Sequence, residues 1–198
     1  MTAFRLVPGL PEAMRGRAAA LYWQAFGGKL GRVLGPEPLA LRYLTRVIRA
    51  DHAIVALAPD GALLGLAGFK THRGGFASGG RGDLIAVYGR TGGLWRAAAM
   101  TALQGDTDNA RFLIDGLCVA DGARGAGIGS ALLDAACAEG VARGYSAARL
   151  DVTDANLRAQ ALYLRAGFAI TGTQRLGMLR HVFGFDATLT MVRPLCLA

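Results

Sequence analysis

One stretch restricts the fold more than any other. Phe112 to Val119 is an apolar run of strand length, and Ala120 to Gly127 is a turn dominated by small residues and glycine. Ile128 to Arg143 then carries Ile128, Leu132, Leu133, Ala136 and Val141 at helical spacing, Gly144 ends that helix, and Ala148 to Val152 is again a strand. A strand–helix–strand unit of this size predicts two parallel strands in one sheet, joined by a right-handed crossover.

The flanking segments read as follows. Phe4 to Val7 predicts a first strand. Met14, Ala18, Leu21, Tyr22 and Phe26 predict a helix after Pro11, stopped by Gly27 and Gly28. Pro38 to Arg49 predicts a second helix. His52 to Leu57 and Ala62 to Lys70 are apolar runs on either side of Ala58-Pro59-Asp60-Gly61, a hairpin signal. Between Thr71 and Arg111, the glycines at 74, 75, 79, 80 and 82 predict a flexible loop. Short helices at Leu84–Tyr88 and Leu94–Leu103 would follow, separated by Gly89 to Gly93. A segment of that length is either a lid or binding element or a surface excursion covering a sheet edge. Beyond the central unit, a helix from Ala155 to Ala166, stopped by Gly167, and strands at Phe168–Thr173 and Ala187–Arg193 complete the chain. With 198 residues and 53% hydrophobic content, a single domain over 1–198 is expected, with an insertion at about 71–111.

The turn carries the chemistry. It reads Arg124-Gly125-Ala126-Gly127-Ile128-Gly129-Ser130 immediately before the helix. Without Cβ atoms, successive backbone N–H groups can close on an anion, and the helix N-terminus behind them adds unsatisfied donors. A glycine-rich turn that merely tightens a strand–helix connection is the alternative. A Walker loop fails, because Gly127 is followed by Ile128 and Gly129 rather than by Lys and Ser or Thr. A dinucleotide-binding fold fits poorly. Ala120 to Ala123 separate the strand from the glycines, and a unit starting near residue 112 leaves too little chain for the remaining parallel strands.

Arg124-x-x-Gly127-x-Gly129, after a strand ending Leu117-Cys118-Val119, resembles motif A of the Gcn5-related N-acetyltransferases. The run from Asn156 through Tyr163 to Gly167 and Phe168 is similar to that family's next motif. The resemblance covers Phe112 to Thr173 most clearly, and the earlier strand, two helices and hairpin are compatible with it. It implies an α/β (α+β) fold: a mixed, mostly antiparallel sheet with a central, splayed parallel strand pair and helices on both faces. It implies acetyl-coenzyme A as cosubstrate and an amine as acceptor, with no metal. Leu117, Cys118 and Val119 would bind the pantetheine arm as an added strand, and Gly116 beside them would suit a bulge. Arg124, Gly125, Ala126, Gly127, Gly129 and Ser130 would hold the pyrophosphate. Asn156 would contact the cofactor arm or simply cap its helix.

Tyr163 matches the family's general acid, which would protonate the departing thiolate; an aromatic packed on a helix face is the alternative. Asp115 is the acid within the Phe112–Val119 strand and the candidate base, sharing a face with Leu117 and Val119 by alternation. It equally suits a hydrogen bond or an arginine pair, and water alone serves some family members. Asp151, at a strand end beside the expected cleft, would contact substrate or cap the turn at Thr153.

The rest of the sequence excludes more than it adds. Cys118, Cys137 and Cys196 have neither zinc nor redox spacing, which suits a reducing cytoplasm, and Cys137 lies on an apolar helical stripe. His52, His72 and His181 are scattered, and no Gly-x-Ser-x-Gly elbow occurs. No signal peptide or membrane-spanning run is visible, so a soluble cytoplasmic protein is expected. The net charge is +8, yet of 22 basic residues only Lys29 and Lys70 are lysines and the arginines are dispersed. That argues against nucleic acid as a partner, although a positive field favours an anionic ligand. A non-catalytic acyl-coenzyme A sensor and an RNA-directed transferase acting on aminoacyl-tRNA are the competing functions, and a homodimer is left open. Trp23, Phe76, Tyr88 and Trp95 would line an acceptor site or pack in the core.

Overall fold

The structure, a computed structural model, describes residues 3–103, 110–177 and 184–196. Strand β1 (Arg5–Pro8) leads to helices α1 (Arg15–Leu34) and α2 (Glu37–Val47), then to strands β2 (Ala53–Leu57), β3 (Leu63–Thr71) and the two-residue β4 (Gly74–Gly75). Helix α3 (Arg81–Leu103) precedes β5 (Phe112–Val119), α4 (Ile128–Ala142), β6 (Ala147–Thr153), α5 (Leu157–Arg165), β7 (Ala169–Arg175) and β8 (Ala187–Pro194). The sheet order is β1-β2-β3-β5-β6-β8-β7, with β4 paired beside β3. Every pairing is antiparallel except that of β5 with β6, so the mixed sheet with a central parallel pair is present as expected.

Helices cover both faces of this sheet. On one face, α1, α2 and α3 pack Ala18, Tyr22, Leu44 and Leu84 against Val55, Leu66, Phe76 and Cys118. On the other, Ile128, Leu132, Leu133 and Tyr163 meet Ala56, Phe69, Phe112 and Met191. Strand β2 shows the consequence directly. It is buried along its whole length, with Val55 in the first core and Ile54 and Ala56 in the second. Its unbroken apolar run is what a strand covered on both faces requires.

Three expectations in the N-terminal half need correction. Helix α1 does not stop at Gly27 and Gly28; it continues to Leu34, where Val33 and Leu34 are almost fully buried. A helical glycine costs about 1 kcal/mol relative to alanine, and burial of those two side chains outweighs it. The carbonyls at the real end are taken by α3: the Tyr88 hydroxyl donates to Leu34, and Arg96 donates to the Gly35 oxygen at 2.9 Å. The glycine-rich stretch after Thr71 is packed rather than loose. Phe76 is completely buried, its N–H donates to Phe69, and its oxygen accepts from Arg49. The following helix breaks at Gly89 alone (φ +73°), while Gly93 stays helical, with the Ile85 backbone too close to it for any side chain. The described part of 71–111 therefore comprises the short strand β4 and a third helix of the α1–α2 layer. Trp95 remains about half exposed, whereas Phe76 belongs to the core.

Gly144 and Gly167 end α4 and α5 as read from the sequence, both with positive φ. Each completes a six-to-one and five-to-two pair of hydrogen bonds: Tyr145 to Gly140 with Gly144 to Val141, and Phe168 to Tyr163 with Gly167 to Leu164.

The register between β3 and β5 slips by one residue. Gly68 pairs with Gly116 but Phe69 pairs with Ile114, so Asp115 is the extra residue of a β-bulge. Gly116 is needed there because a Cβ would lie 2.9 Å from the buried Tyr22 ring. Gly116→Ala should lower stability by about 1–3 kcal/mol, read as a fall in the denaturant midpoint at unchanged m. A second expectation concerns pH. Burial pushes the Cys118 thiol and the Tyr43, Tyr88 and Tyr163 phenols up to about 12. Their neutral forms favour the fold, so stability should be flat until the unfolded-state values near 9 and 10 and then fall through about pH 12. Alkaline titration of thermal midpoints would show it; stability that rises above pH 10 would contradict this burial.

Candidate active site

Parallel pairing between β5 and β6 spans only Phe112–Ala148, Leu113–Arg149 and Ile114–Leu150. Beyond Ile114, each strand follows its outer neighbour. Gly116 to Val119 stay paired with Gly65 to Gly68 of β3, while Asp151 to Thr153 stay paired with Thr188 to Thr190 of β8. The facing edges part, leaving backbone donors and acceptors open to whatever enters. A cleft of about 760 Å³ occupies this gap.

The cleft gathers most of the residues singled out from the sequence. Leu117, Cys118 and Val119 line it, with Arg124, Gly125, Gly127, Gly129 and Ser130 at one end and Asn156 and Tyr163 along the side. Ala126 and Asp115 are not in its lining. Gly125 and Gly127 adopt φ of +86° and +79°, a region that favours glycine, and these two positions shape the turn. Gly127 is the N-cap of α4 and no side chain caps that helix, so its first-turn N–H groups face the cleft end without a side-chain acceptor. Arg124 is pinned by Asp121 at 2.6 Å, and Asp121 also accepts from Gln24 of α1 at 2.7 Å, which ties the turn to the opposite wall.

Tyr163 is held by Phe168, just beyond the end of α5. Its backbone oxygen accepts from Phe168, its ring lies 6.2 Å from the Phe168 ring, and its side chain is almost entirely buried. Its hydroxyl has no hydrogen-bond partner among the described residues. Burial first, and then the neighbouring Cys118, push the phenol up to about 12, so it is a loaded proton donor at neutral pH. Asn156 caps α5 through its side-chain oxygen, which accepts from Ala159 at 3.1 Å, and it lines the cleft as well. The cap and the ligand contact are therefore compatible, because the amide nitrogen is not used by the cap.

Two placements differ from the sequence reading. Asp115 does not share a face with Leu117 and Val119. Phe112 and Ile114 point into the α4 core, as do Leu117 and Val119, whereas Cys118 belongs to the α1 core. The bulge reverses the alternation, and Asp115 ends up exposed on the α1 side, where its charge helps raise the buried Tyr22 phenol. Asp151 is not at a strand end but two residues inside β6. It accepts from Thr190 at 2.7 Å and pairs with Arg149 at 3.2 Å.

Sequence reasoning missed Ala25, Phe26 and Gly28 of α1, which form a wall of the cleft, and Phe185 beyond β7. It also missed Arg158 and Arg165 of α5, although their seven-residue spacing places both on one helical face. His52 is a buried core residue bound to Thr71 at 3.1 Å, and His181 lies outside the described residues. Among the described residues, no cluster of His, Cys, Asp or Glu has the makings of a metal site, and no helix is long and apolar enough to cross a membrane.

None of the curated proteins matches the chain. Solved structures do. The histone acetyltransferase HPA2 and related acetyltransferase from Corynebacterium glutamicum superposes with a TM-score of 0.65 at 21% identity, over 99% of this chain and 98% of that one. A GCN5-related N-acetyltransferase from Kribbella flavida gives 0.63 at 18% identity, covering 98% of each chain. Nourseothricin acetyltransferase, of whose length the chain spans 65%, gives 0.50 at 23% identity over 73% of this chain. These likenesses concern the fold. The model of the Acetyltransferase (GNAT) family matches residues 18–168. With well over half its length matched, the chain belongs to the Acetyltransferase (GNAT) family.

Proposed function

We propose that the protein transfers an acetyl group directly from acetyl-coenzyme A to a primary amine of a small molecule or a protein. The observation that carries this reading is the parting of β5 from β6, which opens onto an uncapped helix N-terminus at one end and the Tyr163 phenol at its side. The pantetheine arm is a narrow chain with two amides, and an unpaired strand edge recognises such a group by main-chain hydrogen bonds. Gly125, Gly127, Gly129 and Ser130 would take the diphosphate on backbone N–H groups. A thioester bound this way lies beside Tyr163.

The amine nitrogen attacks the thioester carbonyl carbon, and the resulting tetrahedral centre collapses with cleavage of the carbon–sulfur bond. The sulfur leaves as a thiolate and takes the phenolic proton of Tyr163, while the ammonium formed on the attacking nitrogen gives its proton to water. Asp115, across the bulge on the α1 side, is the carboxylate that would receive that proton through water. The Tyr163 hydroxyl, on a buried side chain that lines the cleft and without a hydrogen-bond partner among the described residues, favours a catalyst over a module that only senses the cofactor.

Calorimetric titration with acetyl-coenzyme A should give micromolar binding. Gly127→Glu, which strains a positive φ and puts a carboxylate in the cradle, should abolish it in a folded protein. Absence of binding by the folded wild type would remove the reading. Tyr163→Phe should lower turnover by about 10²-fold or more with the cofactor affinity near wild type; unchanged turnover would take Tyr163 out of the mechanism. Asp115→Asn should depress the rate mainly below the pH at which the amine deprotonates unaided, and an unaltered pH profile would leave water as the sole acceptor.

A further inference from the structure

The cleft reaches both faces of the sheet, and the two sides differ in chemistry. Arg124, Arg158 and Arg165 stand at the glycine-turn end and on α5. The α1 side is lined by Ala25, Phe26, Gly28, Cys118 and Phe185. Cys118 and Phe185 belong to the α1 core, and Phe26 packs against it. Strand β6 adds Asp151 and Thr153 on this side. Its Leu150 and Val152 point into the α4 core, and it pairs with β8 without a bulge, so the residues between them face the other way. Asp151 is already held by Arg149 at 3.2 Å and by Thr190 at 2.7 Å. Asp115 is exposed on the same side. Among the described residues, this side of the cleft is thus an apolar wall edged by carboxylates.

Gly28 is unusual within that wall. It lies inside α1, where glycine is the poorest helix former after proline. Its neighbour Gly27 has a packing reason, because a Cβ there would stand 3.2 Å from the Trp23 ring. Gly28 has none. No heavy atom of the described residues comes within 4 Å of the place its Cβ would take, and its φ is not positive. The space beside it belongs to the cleft, so a side chain there would meet a ligand rather than the protein. Phe26 stands on the other flank of the same helix face. Its ring is fixed, 4.5 Å from the Tyr22 ring and 3.4 Å from where a Cβ on Gly116 would lie. Gly116 directly follows the bulge, so Phe26 borders the point where β5 and β6 part.

We propose that the acceptor is a primary amine on an apolar, uncharged body, seated against Phe26 and Phe185 on the α1 side of the cleft, with Gly28 setting the width of body that enters. Apolar surface gains by leaving water for these rings. The ammonium form of the amine is drawn in by Asp115 and Asp151, whereas a carboxylate on the same body would face both of them. A polyamine would bring further charges against a wall that offers them no carboxylate. This rests on the acetyl-transfer reading of the cleft and adds the class of acceptor.

The test is steady-state thiol release from acetyl-coenzyme A by the full chain with 2-phenylethylamine, phenylalanine and spermidine at fixed pH and salt. Phenylalanine adds only a carboxylate to the first amine, and kcat/KM for 2-phenylethylamine should exceed that for either of the others by about tenfold or more. Gly28→Leu then probes the width. Its side chain enters open space on a helix, so the variant should fold, with the thermal midpoint as the check. The ratio of kcat/KM for 2-phenylethylamine to that for the slimmer n-propylamine should fall about tenfold or more, mainly through KM. Gly16→Leu alters another uncrowded glycine of α1, outside the cleft lining, and should leave that ratio unchanged. Phenylalanine or spermidine turned over as well as 2-phenylethylamine, an unchanged ratio in Gly28→Leu, or an equal change in Gly16→Leu would overturn the inference. So would binding of acetyl-coenzyme A with turnover of none of these amines. Failure of the folded wild type to bind acetyl-coenzyme A in calorimetry would instead remove the reading beneath it.

Discussion

The bulge at Asp115 is the interaction on which the site depends. One extra residue in β5 keeps Gly116 to Val119 in register with β3 while turning them away from β6, whose own end is held by seven consecutive pairs with β8. A parallel pair with no bulge would have closed the gap and satisfied its own backbone groups. Here the sheet forgoes those hydrogen bonds over the last five residues of β5, and the cost is borne by burial on both faces. Gly116 permits it, since the Tyr22 ring occupies the space a side chain would need.

The same two-sided burial positions the side chains that line the cleft. Tyr163 belongs to the α4–α5 core and Cys118 to the α1 core, yet both reach the cleft, because the splay is the place where the two cores approach each other through the sheet. Burial that keeps the phenol protonated is therefore a by-product of packing rather than a separate device. The six-to-one hydrogen bond from Phe168 to Tyr163 fixes the end of α5 that carries this phenol. In the other direction, Asp121 links α1 to the glycine turn through Gln24 and Arg124, so the wall formed by Ala25, Phe26 and Gly28 is joined to the glycine-turn end of the cleft.

Much of this was legible from residues alone. The strand–turn–helix–strand unit, the stops at Gly144 and Gly167, the glycine-rich turn before α4 and the place of Tyr163 on α5 are local features. Each depends on spacing within a dozen residues, and local rules describe them well. The errors have one source. Gly27 and Gly28 read as a stop because propensity favours one, but Val33 and Leu34 had a core waiting on α2 and α3. The glycines after Thr71 read as a loop, but Phe76 inserts beside Tyr22 and anchors them. Asp115 was assigned the wrong face because alternation assumes a strand without a bulge.

By itself, then, the sequence determined the central βαβ unit, the place of its glycine-rich turn and the family to which the chain belongs. Those are written in the identity and order of neighbouring residues. Only the tertiary structure decided where β5 leaves β6, which side of the sheet Asp115 faces, and which residues of α1 and α5 line the cleft. Register, facing and pairing depend on residues far apart in the chain, and their energies exist only once two cores have packed against the two faces of one sheet.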